Sequence, residues 1–410
     1  MTRLGFQKSN KRALGGAGAA LILAGLAVLS PALALDIPGL PQFQAEIGDA
    51  QLSVGGSASG AVFDSNLKRQ ALSDSFGASG SAKLMPRLHR DYDSGLSLGL
   101  NATLAVSDPL SRGRYGGDFF EKVFGEVRTG LGRIEIGQTD GAGYAVAAGG
   151  PKVDAQVSLD DPQTTFFRDP VTGHAVIDMF ALRTSVGASS NYAKFAYVSP
   201  ALFGAQLALS FTPNQGKQVL PFLTTGPDVP GRQAAIWEAG LRYSTDFGPV
   251  SLTGYGGIAE GRGEHKLGRQ EGVSDLGAGL RADYVVDDEL SLSLGGSYRH
   301  SNAYAFDITQ SFDGATTRAL HVSAAATYGS WVWGVEYGNA VAGSPAGLGL
   351  NGARLGLNGY QASVGYVLNN NWQITGGWQR LDYSRNSGVF FNGGPHLNMD
   401  AGFLHLNLHV

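Results

Sequence analysis

The chain has 410 residues, 61 of them glycine, with 16% charged residues, a formal net charge of −4 and no cysteine. The missing cysteine excludes a thiolate metal site, a disulfide framework and a cysteine nucleophile. No basic patch with interleaved aromatics is present, which excludes nucleic acid as a partner. Glycine this abundant, without a collagen-like period, suits tight turns and crowded sheet walls.

Residues 1–34 read as a signal peptide. Arg3, Lys8, Lys11 and Arg12 form a basic start, Leu14 to Val28 is apolar and small, and Ala32-Leu33-Ala34 reads as a cleavage site. A membrane anchor helix is the competing reading, disfavoured by the short apolar run and the cleavage signal. Those four basic residues leave with the peptide, taking the 30 basic residues to 26 against 34 acidic, a net of −8. After Ala34 no apolar run approaches the ~20 residues of a spanning helix. The mature chain is therefore soluble in the periplasm or crosses a membrane as a β-barrel. Residues 35–50 read as a short N-terminal periplasmic segment and 51–410 as the barrel domain.

From 51 onward the sequence alternates with period two. Leu96, Leu98, Leu100, Ala102, Leu104 and Val106 face one way; Ser97, Gly99, Asn101, Thr103 and Ala105 face the other. Leu276, Ala278, Leu280, Ala282 and Tyr284 likewise oppose Asp275, Gly277, Gly279, Arg281 and Asp283. This is strand periodicity with one apolar face. It predicts sixteen strands, at 51–64, 79–92, 95–107, 118–129, 132–139, 190–199, 203–212, 235–247, 250–259, 273–286, 289–300, 316–328, 331–341, 354–368, 371–384 and 398–410. Most exceed the five or six residues usual in globular proteins and match the ~9–11 of a tilted strand crossing a bilayer.

Connections alternate between tight turns, such as Asp93-Ser94, Gly248-Pro249 and Asn369-Asn370, and long polar links at 65–78, 108–117, 140–189, 213–234, 260–272, 301–315, 342–353 and 385–397. Short periplasmic turns and long extracellular loops are the asymmetry of outer-membrane barrels. Tyr92, Phe203, Phe247, Tyr284, Tyr328, Trp331, Tyr366 and Trp372 border the short turns, as an interfacial aromatic girdle would. The opposite faces carry charge, as Glu238, Arg242, Arg281 and Asp283 show. Burying such groups dry would cost several kcal/mol each unless paired, whereas barrels of ~16–18 strands hold an aqueous channel. The expected fold is an all-β, transmembrane, antiparallel barrel of sixteen strands with a water-filled pore.

On these features the chain resembles the Gram-negative general porins. The local match is Phe120 to Gly141, FEKVFGEVRTGLGRIEIGQTDG, an aromatic-rich strand, a glycine turn and a second strand. The resemblance implies a homotrimer and a long third loop folded into the lumen as a constriction. Link 140–189 is the longest and third in order, and it holds Asp154, Asp160, Asp161, Asp169 and Asp178. In the family, acidic residues of this loop oppose basic wall residues; the candidates here are Lys83, Arg87, Arg128 and Arg133. The family usually ends in an aromatic residue, but this chain ends FLHLNLHV.

Other chemistry is discounted. His405 and His409 sit about 13 Å apart along a strand, too far to share a metal. Asp160-Asp161 and Asp287-Asp288 read as turn formers rather than calcium ligands. Gly254 to Gly261 precedes no helical pattern, so it is no phosphate loop. No cofactor and no enzymatic site are expected. The expected partners are the bilayer with its lipopolysaccharide, and small hydrophilic solutes and ions in passive diffusion. A substrate-selective channel for sugars, anions or organic acids is the alternative, since Phe124, Tyr144, Phe166, Phe167 and Phe180 offer aromatics to a sugar. A barrel adhesin or barrel enzyme is a third reading.

Overall fold

The computed structural model describes residues 43–66, 76–107, 120–167, 182–215, 233–263, 272–302, 316–343, 354–386 and 394–410. The expected signal peptide, with Asp169 and Asp178, lies outside the described residues. The strands run β1 Phe43–Ile47, β2 Ala50–Ser65, β3 Phe76–Asp91, β4 Ser97–Ser107, β5 Phe120–Thr129, β6 Gly132–Gln138, β7 Ala193–Val198, β8 Ala205–Asn214 and β9 Gln233–Phe247. They continue as β10 Val250–Gly263, β11 Ser274–Val285, β12 Leu290–Ser301, β13 Thr316–Tyr328, β14 Trp331–Gly343, β15 Arg354–Val367, β16 Trp372–Arg385 and β17 His396–His409. Among the described residues one short helix, α1, spans Ala142–Ala145.

From β2 to β17 each strand pairs antiparallel with the next, and β17 closes the ring on β2 through Ala401↔Ser65 to His409↔Ser57. All sixteen predicted strands coincide with β2–β17, so the fold is a closed sixteen-stranded antiparallel barrel. Among the described residues no helix is long and apolar enough to cross a membrane; the strands do the crossing.

The closing seam holds a strand that alternation did not flag. β17 ends where Val410 and Gly56 exchange two backbone hydrogen bonds of 2.8 and 3.1 Å. Beyond that point β2 would present an open edge. β1 fills it, pairing Phe43↔Val54 through Ile47↔Ala50, and so continues the line of β17 with the other end of the chain. Phe43, Ala45 and Ile47 share the outward face of Val54 and Leu52, while Gln44 and Glu46 face inward. A turn at Gly48 (φ +62) leads into β2; glycine enters this left-handed region without steric penalty. Five residues are too few for a periodicity argument, which is why β1 escapes a sequence reading.

The wall is apolar outside and polar inside. On β11, Leu276, Leu280 and Tyr284 are exposed outward, while Asp275 is fully buried inward. Phe203, Phe247, Tyr284 and Tyr328 at the short-turn end are all exposed, and Trp331 meets Tyr366 edge-on at 4.7 Å. In water this outer surface would be costly at ~25 cal/mol per Å²; in a bilayer it is the solvated face.

Deleting residues 43–47 should lower the temperature at which the barrel loses its compact mobility on denaturing gels, with ohmic conductance retained. An unchanged transition temperature would show that β1 adds nothing to the seam.

Candidate functional site

The site is the inner wall together with the segment between β6 and β7, described over 139–167 and 182–192. The two ends of that segment meet at one buried cation. Lys194 of β7 is fully buried, and its ammonium donates to the carbonyls of Thr139 (2.6 Å), Ser189 (3.5 Å) and Ser190. Nearby, the Glu238 carboxylate of β9 accepts from the backbone N–H groups of Gly143 (3.3 Å) and Ser189 (2.8 Å). Ser210 of β8 accepts from the Ala142 N–H at 3.0 Å. Glu238 is therefore no lumenal charge; it ties both arms of the segment to the wall.

From this neck the first arm runs along the inner faces of β9–β17. Inward-facing glycines make the seat. A Cβ on Gly240 would lie 2.8 Å from the Ala142 carbonyl oxygen, and one on Gly279 would strike the carbonyl of Ala148. Gly334 and Gly365 flank Val153, and Gly359 lies beneath Leu159. Between these close approaches the wall supplies polar partners. Gln373 donates to the Val153 carbonyl at 2.7 Å, and Asp154 pairs with His405 Nδ1 at 2.6 Å. Glu336 accepts from the Ser158 hydroxyl (2.6 Å) and the Leu159 N–H (3.0 Å), and pairs with His321. The arm ends in an apolar cluster. Phe166 stacks on Phe403 with centroids 4.5 Å apart and lies 5.5 Å from Phe63; Leu159, Phe167, Leu182, Leu381 and Met399 are buried in the same cluster. The second arm returns past Thr184–Ser297 (2.6 Å) and Val186 N–H to Tyr255 OH (3.2 Å).

The three described acidic candidates are all engaged. Asp154 is buried against His405. Asp160 is buried, 3.2 Å from Lys152, and accepts twice from Thr184, at 2.8 and 3.0 Å. Burial alone would push its carboxyl up, but Lys152, His321 and the two Thr184 bonds outweigh that and hold its pKa at about 2. Burial likewise works against the Lys152 charge, and Asp160, Asp161 and Glu336 together raise its pKa. Asp161 has left-handed backbone, φ +62, which costs an L-residue roughly 1–2 kcal/mol. It is held there by the Tyr144 hydroxyl (2.9 Å) and Arg183 (3.4 Å).

The basic candidates form a second group. Lys83 pairs with Glu121 at 2.8 Å. Arg87 and Arg128 share Glu126 at 3.5 and 3.0 Å, and Arg133 pairs with Glu135 at 2.8 Å. All four pair with carboxylates of the wall itself, not with loop acids. The guanidinium side chains are 37–49% exposed, the Glu126 and Glu135 side chains only 8–9%. The cations thus cover the carboxylates on the part of the wall, β3–β6, that lies away from the glycine seat.

One further reading is corrected. Phe166 and Phe167 are 1% and 0% exposed, because they plug the apolar cluster; they are not open to a sugar. Among the described residues no group of His, Asp or Glu is arranged to hold a metal, and Asp287 caps its own turn by accepting from Glu289 and Leu290 N–H. The sequence reading missed the anchors Lys194, Glu336, His321 and the Phe63–Phe403 pair. One signal was available: at Phe63, Leu381, Met399 and Phe403 the polar parity of the strand turns apolar, which an open aqueous wall would not require.

A family model described as Gram-negative porin matches residues 19–387. Among curated proteins none is significantly similar in sequence. Solved structures share the fold. The chain is similar to Salmonella typhi OmpF in complex with daunomycin, with a TM-score of 0.55 and 12% identity over 89% of this chain and 100% of that one. It is similar to the anion-selective porin of Comamonas acidovorans at 0.51 and 15%, covering 88% and 100%. The trimer form of OmpT, an outer membrane protein of Vibrio cholerae, aligns at 0.53 and 11%, covering 88% and 100%.

Lys194→Met strands three carbonyls without their donor, an expected cost of about 1–3 kcal/mol. It should appear as more frequent brief interruptions in single-channel records; an unchanged record would remove Lys194 from the support of the neck. Asp160 has its pKa depressed from the ordinary 3.8 to about 2, so its charge stabilises fully above pH ~4 and that contribution disappears as the pH falls through about 2. The difference in unfolding temperature between the wild type and Asp160→Asn should therefore be constant from pH 7 to 4 and shrink below. A difference that already vanishes at pH 5 would contradict the assignment.

Proposed function

We propose, for a chain that belongs to the Gram-negative porin family, passive diffusion of small hydrophilic solutes and ions through the barrel lumen. The protein resides in the outer membrane and is a channel rather than an enzyme. The observation that carries the reading is the inverted polarity of the closed sixteen-stranded ring, apolar outward and charged inward, with exposed guanidiniums on β3–β6. Such an interior is stable when wet, and a wet lumen of this width conducts.

The segment 140–189 forms the constriction, facing the wall that bears Lys83, Arg87, Arg128 and Arg133. Its support is the run of hydrogen bonds from 141–167 and 182–192 to inward residues of β8–β17. Asp154 and Asp160 act in it as anchors, and Asp161 with Arg183 presents its edge. Residues 1–34 are removed on export, and the mature protein assembles as a homotrimer, as a trimer form of the Vibrio cholerae protein suggests. No reaction, cofactor or energy source is part of this reading.

Purified protein in planar bilayers should give ohmic conductance in potassium chloride. Neutralising Arg87 and Arg128 together, as Gln, should move the reversal potential toward cation preference, because Glu126 would then face the lumen uncovered. A barrel with no conductance would overturn the channel; an unchanged reversal potential would take the two arginines out of the constriction.

A further inference from the structure

On the opposite side of the lumen from the Arg87–Arg133 wall, a cavity of about 580 Å³ lies between the segment 144–161 and strands β9–β12. Its size falls within the ~300–1,000 Å³ of small-molecule sites. Three carboxylates line it, Asp160, Asp161 and Asp283, and each has its own base. Asp160 is held by Lys152 and Asp161 by Arg183. Asp283 accepts two bonds from Arg281 Nε, at 2.8 and 2.9 Å, and a third from Ser293. One lining cation is left over. Arg242 of β9 is exposed into the cavity and has no hydrogen-bond or ion-pair partner among the described residues.

The neutral groups beside it are biased in one direction. Tyr255 sits directly across from Arg242 in the β9–β10 ladder. Its hydroxyl oxygen already accepts the Val186 N–H, so its hydrogen is free to be donated. The Ser185 hydroxyl oxygen accepts from Arg183 Nε at 2.9 Å and is in the same position. An unmatched guanidinium flanked by hydroxyls that have donors to spare complements an oxyanion, which accepts only.

We infer that this cavity is a binding subsite for small organic or inorganic oxyanions, held by the Arg242 fork with Tyr255 and Ser185 as supporting donors. The inference rests on the channel reading and names a solute class for it. Binding is transient: one exposed guanidinium holds the anion on its way through rather than trapping it.

The test is block of a potassium chloride current by added succinate or inorganic phosphate, with glycerol as a neutral control. Wild type should show saturable block, with the half-blocking concentration raised at least tenfold in Arg242→Gln. Arg242→Lys keeps the charge but loses the planar fork, and should shift it severalfold. Heat-dependent gel mobility confirms that each variant barrel has assembled; the lysine variant decides the question if the glutamine variant does not assemble. Block by succinate alone assigns a carboxylate, by phosphate alone a phosphate, and by both an oxyanion of either kind. Current without block by either anion, or equal block in wild type and both variants, overturns the subsite and leaves the channel standing. No current in the wild type overturns the channel itself.

Discussion

A backbone amide inside hydrocarbon has no water to bond, and each unpaired group there costs several kcal/mol. That constraint shapes the rest of the molecule. It requires every strand to have two neighbours, which only a closed ring provides. Closure at sixteen strands leaves an interior too wide for the wall's own side chains to fill, and the described part of the segment between β6 and β7 is hydrogen-bonded to inward residues of that wall. The segment brings backbone groups that its own short helix leaves unpaired. The inner wall answers them with Glu238, Ser210, Glu336, Gln373 and Lys194. What would be a hydrophobic core in a soluble protein is reduced here to the patches where this segment meets the wall.

The barrel was legible because its signal is one-dimensional. Alternation along Leu96–Val106 or Leu276–Tyr284 records inside and outside residue by residue, and turn residues punctuate it at every hairpin. The candidate site was less legible because its geometry is two-dimensional. Nothing in sequence spacing says that Asp154 will lie against His405, 251 positions away, or that Glu336 will accept the Leu159 N–H. Parity placed Arg87, Arg128 and Arg133 on the inner face but could not say that Glu126 and Glu135 would lie beneath them. Glycine abundance points to tight turns and crowded walls, but composition does not say that Gly240, Gly279, Gly334 and Gly365 are the ones that serve as floor for a crossing chain.

Electrostatically, the lumen is more than its net charge. The sequence is acidic overall, but on β3–β6 Glu126 and Glu135 sit low in the wall and the guanidiniums of Arg87, Arg128 and Arg133 stand above them. A solute passing through meets the upper layer. Exposed pairs of this kind add little to stability; their effect lies in the order in which charges are presented across a narrow aqueous gap, where screening over a Debye length of ~8 Å is incomplete.

β2 is a template with two occupants laid end to end, the C-terminal strand on Ser57–Ser65 and β1 on Ala50–Val54. Asn66 and Asp400, bonded at 3.3 Å across 334 residues, mark how much chain must arrive before the ring can close. The local hairpins form cheaply, each over a short turn, but the last seam carries the loop entropy of nearly the whole protein. β1 lies next to β2 in sequence and folds back on it across one tight turn. It is thus positioned to cover the first third of the open edge, Ala50 to Val54, while the other end of the chain is still distant, shortening the stretch of bare strand exposed to other unfolded barrels during assembly.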